Sequence, residues 1–329
     1  MKKKRYYSRT AFVLIVSLLF TMVLPHLQGI VKADEQTALL LYEGGTQIGS
    51  YTSLADALAA MTKEDGTYQV VFGNAQQEYR LDGEVWLPKV KKIIFQGNEW
   101  EKNGAYKYST IIVNDDVHMQ SDVVLDTMYV WQENRAKDTV FSLETYRLTL
   151  QGLRTEIKRS PDVVNVDENF EFAIQGTAGS CFEVTECTFY SYDSFSVDTV
   201  ILEKNGRILI FENSTMKEVE VRSSDSEIEY TKGLTGMPAT PKIGILRLYE
   251  EGKIELNGNV HLTIQKIVSQ ESHSLQIYAV TDNISKDMFY HCTIKEGTDF
   301  RIGYYVMVGN LSAKQKILLR NMLSILKVP

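Results

Sequence analysis

The stretch Lys92-Ile93-Ile94-Phe95-Gln96-Gly97-Asn98 decides the reading of the fold, because the chain carries three more copies of its pattern. These are Arg147-Leu148-Thr149-Leu150-Gln151-Gly152-Leu153, Arg207-Ile208-Leu209-Ile210-Phe211-Glu212-Asn213 and Lys253-Ile254-Glu255-Leu256-Asn257-Gly258-Asn259. A basic residue opens each copy, positions two and four are always apolar, and position three ranges from Ile to Glu. Such alternation marks a strand buried on one face. The Gly or Asn that follows suits a sharp corner at positive φ. One strand-and-corner unit used repeatedly implies a solenoid.

The spacing of the copies refines this. The last two lie 46 residues apart, about two coils of roughly 23 residues. The earlier offsets, 55 and 60, require longer loops between coils. The helical spacing of an α-solenoid is missing from the middle of the chain. The expected fold is therefore all-β, a single-stranded right-handed parallel β-helix of the pectin-lyase-like kind. Its competitor is a β-sandwich whose short strands merely look alike.

Around this core the chain divides into four parts. Residues 1–33 read as a signal peptide: Lys2, Lys3, Lys4, Arg5 and Arg9, an apolar run from Ala11 to Leu24, and small residues in Val31-Lys32-Ala33. The run is too short for a membrane span, which needs about 20 residues, so no transmembrane segment is expected after cleavage. Residues 34–66 read as strands and a cap helix, with Ser53-Leu54-Ala55-Asp56 as its start. Residues 67–310 form the solenoid. Residues 311–329 read as a C-terminal amphipathic helix, with Leu311, Ile317, Leu318, Met322 and Leu323 at helical spacing, lying over the end of the solenoid.

Removing residues 1–33 takes the formal charge from −7 to −13, because six basic residues and no acid are lost. So acidic a chain is a poor partner for nucleic acid. Three cysteines, Cys181, Cys187 and Cys292, are too few for a disulfide framework. Cys181 and Cys187 are expected as buried free thiols stacked in the solenoid interior.

The segments Ser53-Leu54-Ala55-Asp56-Ala57-Leu58, Tyr68-Gln69-Val70-Val71-Phe72 and Val85-Trp86-Leu87-Pro88 through Gly97-Asn98 carry a resemblance. Together they resemble the opening of secreted Gram-positive surface proteins with a pectate-lyase-like adhesive domain. That resemblance implies a right-handed β-helix, surface adhesion and no catalytic residues. A Leu-Pro-x-Thr-Gly sorting signal, common in such surface proteins, is missing from this sequence.

Enzymes on this fold need clustered carboxylates for Ca²⁺ or proton transfer. The best candidates are Asp115, Asp116 and Asp122, beside His118 and Asp126. Asn-Asp runs are also ordinary turn formers, and that reading is preferred. No His pair, nucleophile elbow or phosphate loop stands out. Tyr190 and Tyr192 are the candidate ligand-binding aromatics, while Phe189 and Trp86 are expected to fill the interior. The functional expectation is an exported, non-enzymatic, adhesin-like protein, secreted or at the cell surface, that binds carbohydrate or a cell-surface protein and needs no cofactor. The alternative is a Ca²⁺-assisted polysaccharide lyase or glycoside hydrolase.

Overall fold

The structure, a computed structural model, describes residues 39–73, 78–102, 105–131, 139–152, 173–191, 194–210, 214–230, 240–256, 260, 262–269, 274–279, 293–294 and 301–305. The expected signal peptide and C-terminal helix, and Cys292, lie outside these residues. The described chain is almost all β, and its sheets are built mainly from parallel pairs. Among the described residues no helix is long and apolar enough to cross a membrane.

The N-terminal part starts with a hairpin, Leu39–Glu43 against Thr46–Tyr51, turning at Gly44 and Gly45. A short helix, Leu54–Ala59, follows. Ser53 is its N-cap, its hydroxyl accepting the Asp56 N–H at 3.3 Å, and Leu54, Ala57 and Leu58 are buried. At six residues this helix cannot stand alone, so the burial of that apolar side must hold it in place.

Beyond it, the chain visits three parallel ladders in rotation. The first stacks Thr67–Phe72, Lys92–Gln96, Asp122–Asp126, Arg147–Gln151 and Cys181–Thr185. The second stacks Val85–Trp86, Val117–His118, Val140–Glu144 and Ala173–Gly176. The long strand Phe195–Glu203 joins them, its start pairing with Ala173–Gly176 and its end with Cys181–Thr185. Ser214–Val221, Lys242–Leu248 and Thr263–Ser269 then continue both ladders. The third ladder is in two parts. Glu78–Leu81, Ala105–Val113 and Met128–Trp131 form one, and the six strands from Thr188–Ser191 to Arg301–Tyr305 form the other.

The four copies of the repeat fall on two different ladders. Lys92–Gln96 and Arg147–Gln151 lie on the first, two rungs apart with Asp122–Asp126 between them. Arg207–Ile210 and Gly252–Leu256 lie on the third, with Glu227–Tyr230 between them. The offset of 46 residues is thus two rungs. In register, Ile93, Val123 and Leu148 stack in one column and Ile208, Ile228 and Ile254 in another.

Positions two and four of every copy are buried, as alternation requires: Ile93, Phe95, Leu148, Leu150, Ile208, Ile210, Ile254 and Leu256. Of the outward set, Ile94, Leu209 and Glu255 are half-buried. Thr149 is buried too, because it sits mid-sheet between Val124 and Glu183 on neighbouring rungs.

Corners separate the ladders, and they depart from the simple positive-φ expectation. Gly152 does take φ 61°, but Thr127 (53°) and Glu186 (55°) adopt the same conformation after the corresponding strands. Gly97 is there for space instead: a Cβ would run into the Thr127 carbonyl oxygen. Its neighbour Asn98 donates its side-chain amide to the Phe72 carbonyl, tying the corner to the preceding rung.

One continuous apolar core runs between the ladders. Near its middle Phe182, Phe189 and Phe195, one from each ladder, meet with ring centroids 4.8–5.9 Å apart. Cys187 belongs to this core, its Sγ 3.5 Å from the Leu150 carbonyl. Cys181 does not. It alternates with the inward Phe182, so its thiol faces the outside of the first ladder among Arg147, Glu183, Glu220 and Arg222. It is still buried there, and that burial pushes its pKa up to about 11.

Candidate functional site

The outer faces of the ladders differ in chemistry. On the first, ion pairs tie successive rungs: Arg147 to Glu183 at 3.1 Å, Arg222 to Glu203 at 2.9 Å and to Glu220 at 2.6 Å, and Arg247 to Glu218 at 2.6 Å. On the third, Arg207, Glu227 and Lys253 occupy one register column with alternating charge. Arg207 reaches Glu227 at 2.9 Å, and Lys253 reaches both Glu227 and Glu255 at 2.6 Å. Burial holds the Glu227 carboxyl above its ordinary range. In a parallel ladder equivalent positions stack directly, so like charges would repel and alternating signs relieve this. The charged side chains named on these two faces are thus paired with one another, mostly across rungs.

The second ladder is different. Val85 and Leu87 turn toward the core, so period-two alternation sends Trp86 outward, against the interior placement expected for it. The indole is 55% exposed; among the described residues only Ile48, at 45%, is a comparably exposed large apolar side chain. Trp86 and His118 are register partners, and their rings stack with centroids 4.1 Å apart and planes 10° from parallel. The imidazole bridges two acids: Nε2 is 3.1 Å from Glu84 Oε1, and Nδ1 is 3.9 Å from Glu144 Oε1. Nδ1 itself is buried without a hydrogen-bond partner among the described residues. Ser142, the next residue in register, donates its hydroxyl to the same Glu144 oxygen at 2.8 Å. Glu144 is held there by an irregular backbone, with φ 51° and a break in register after Ser142.

The result is a two-ring stack whose open face belongs to the Trp86 indole, with Glu84, Glu144 and Ser142 gathered around the imidazole on which it rests. It can stack an amphipathic ring and hydrogen-bond polar groups at that ring's edge.

The carboxylates singled out in the sequence lie at one edge of this ladder and on the first, and they are engaged with backbone. Asp115 accepts the Asp116 N–H at 2.9 Å, and Asp116 accepts the Val140 N–H of the next rung at 2.9 Å. Asp122 does the same for the Arg147 N–H at 2.9 Å. Each rung-to-rung bond satisfies an N–H where a strand begins. Among the described residues, no group of three or more His, Cys, Asp or Glu is placed to hold a metal ion. Tyr190 falls in strand Thr188–Ser191, in register with Leu209. Its side chain, and all of Tyr192, lie outside the described residues.

Glu84 and Glu144 carried no signal in the sequence, since they come to His118 only through stacking of separate rungs. The Val85-Trp86-Leu87 alternation was the one clue available for Trp86. No protein-family model, curated protein or solved structure matches this chain.

Proposed function

We propose that the chain is an exported, non-enzymatic carbohydrate-binding protein, adhesin-like, whose ladders close into a right-handed pectin-lyase-like β-helix. The observation that carries the binding reading is the exposed Trp86 ring lying flat on His118 between Glu84 and Glu144. Sugars offer an apolar ring face with polar edges, which an exposed indole with acids beside it complements. Rotation through three ladders with short corners supports the β-helix, and the tripartite N-terminus supports export.

The test is a glycan array followed by calorimetric titration of the best glycan. Trp86→Ala should abolish binding while the protein still unfolds cooperatively, with the melting temperature lowered by only a few degrees for the lost stacking on His118. Unchanged binding in Trp86→Ala would overturn the reading. N-terminal sequencing of secreted protein should begin after Ala33.

A further inference from the structure

The third ladder carries an excess of acid that its ion pairs do not cancel. Glu227 and Glu229 on one rung and Glu255 on the next face outward, because Ile228, Tyr230, Ile254 and Leu256 between them fill the core. Glu227 sits in register between Arg207 and Lys253, and Glu229 is in register with Glu255. Lys253 Nζ reaches Glu227 and Glu255 at 2.6 Å each, so one ammonium draws both carboxyls to the same point. Arg207 reaches Glu227 at 2.9 Å and Glu229 only at 3.9 Å. Three carboxyls thus share two cations. The rungs on either side add no charge in register: Thr188 precedes Arg207, and Gln276 and Tyr278 follow Lys253 and Glu255.

Glu227 is the most enclosed of the three, its side chain 7% exposed against 17% for Glu229 and 21% for Glu255. The approach of Lys253 to Glu227 Oε1 is an ion pair without hydrogen-bond alignment, so that buried oxygen has no hydrogen-bond partner among the described residues. The Glu227 and Glu255 carboxyls lie within hydrogen-bonding reach of each other, and two carboxyls can bond in this way only when one carries a proton.

We infer that Glu227 and Glu255 hold one proton between them and form a proton latch on the third ladder. Protonated, the pair hydrogen-bonds one rung to the next; deprotonated, three carboxylates face two cations and the rungs loosen. Burial holds the Glu227 carboxyl above its ordinary range against the pull of Lys253, and Glu255 adds to the rise. Burial acts on Glu255 in the same direction, but its hydrogen bonds to Lys253 and Glu227 hold its carboxyl low. Where two neighbouring carboxyls are pushed apart in this way, the raised one carries the proton. The folded chain then binds a proton that the unfolded chain has lost. Stability therefore rises as pH falls from the folded value of Glu227 toward the unfolded glutamate value of about 4.3. Below that, Glu255 works the other way, its contribution fading as it is protonated in turn.

The test follows the glutamate carboxyl carbons of the full-length protein by NMR, assigned through the backbone, from about pH 8 to about pH 4. Glu227 should titrate above an ordinary glutamate, and Glu255→Gln, which removes the neighbouring charge, should move that titration down. Urea unfolding gives the second arm. Glu227→Gln fixes the neutral form, so its midpoint should exceed the parent's at about pH 7.5, and the gap should close by about pH 5 as the parent takes up its proton. Titration of Glu227 at or below the ordinary glutamate value would overturn the latch. Midpoints of parent and Glu227→Gln that run parallel across this range would overturn it too. The NMR titration reads the parent itself, so the latch stays refutable even where Glu227→Gln does not fold.

Discussion

Truncating Phe182 to Ala tests the three-ladder architecture at its most informative point. Phe182 is fully buried on the first ladder and touches Phe189 of the third at 4.8 Å and Phe195 of the second at 5.2 Å. Removing a buried Phe ring costs about 3–5 kcal/mol. Each well-placed ring pair adds about 0.5–1.5 kcal/mol beyond burial. Rigid ladders on three sides leave little room for collapse, so the cost should sit near the upper end, about 5 kcal/mol. At about 1.6 °C per kcal/mol for a chain of this length, the melting temperature should fall by about 8 °C. Urea unfolding of parent, Phe182→Ala, Phe195→Ala and the double variant gives the coupling between the two rings, expected near 1 kcal/mol. Glu183→Ala is the control. It faces outward, loses one surface ion pair to Arg147 and should cost less than about 1 kcal/mol. A Phe182→Ala cost below about 1 kcal/mol, or strict additivity with Phe195→Ala, would mean the ladders do not converge there.

Other outcomes follow from single contacts. Asp116→Ala should cost about 1–3 kcal/mol, since it strips the acceptor from the Val140 N–H, and added Ca²⁺ should not change the melting temperature of parent or variant. Asp198 accepts the Gly179 N–H and pairs with Lys217, and these contacts hold its carboxyl below the usual range. A depressed folded pKa stabilises fully above the unfolded value of about 3.9, and that stabilisation fades as pH falls from there through the folded value. Asp198→Asn should therefore lower stability at neutral pH, with the gap to the parent closing in acid during pH-dependent urea unfolding. The Cys181 thiol, buried and titrating at about 11, should resist alkylation near pH 8 in the folded protein and label readily in denaturant, as site-resolved mass spectrometry would report.

Much of the architecture was legible because alternation and recurrence are local. The inward set Ile93, Phe95, Leu148, Leu150, Ile208, Ile210, Ile254 and Leu256 follows from period two alone, and each of these side chains is buried. The Ser53 cap and the Gly44-Gly45 turn were equally local. What stacking decided could not be read along the chain. Two copies of one pattern lie on the first ladder and two on the third, because a one-sided strand fits any ladder and the loop lengths choose between them. Cys181 faces out and Cys187 in, because the corner at Glu186 comes between them. Thr127 and Glu186 take the conformation that Gly152 adopts at the corresponding corner, since hydrogen bonds to neighbouring rungs hold it. Glu84, Trp86, His118, Ser142 and Glu144 span sixty residues of chain, and parallel register alone brings them together. Residue types and periodicity determine which faces are buried; which outward residues become neighbours is determined by rung spacing and the length of every loop between.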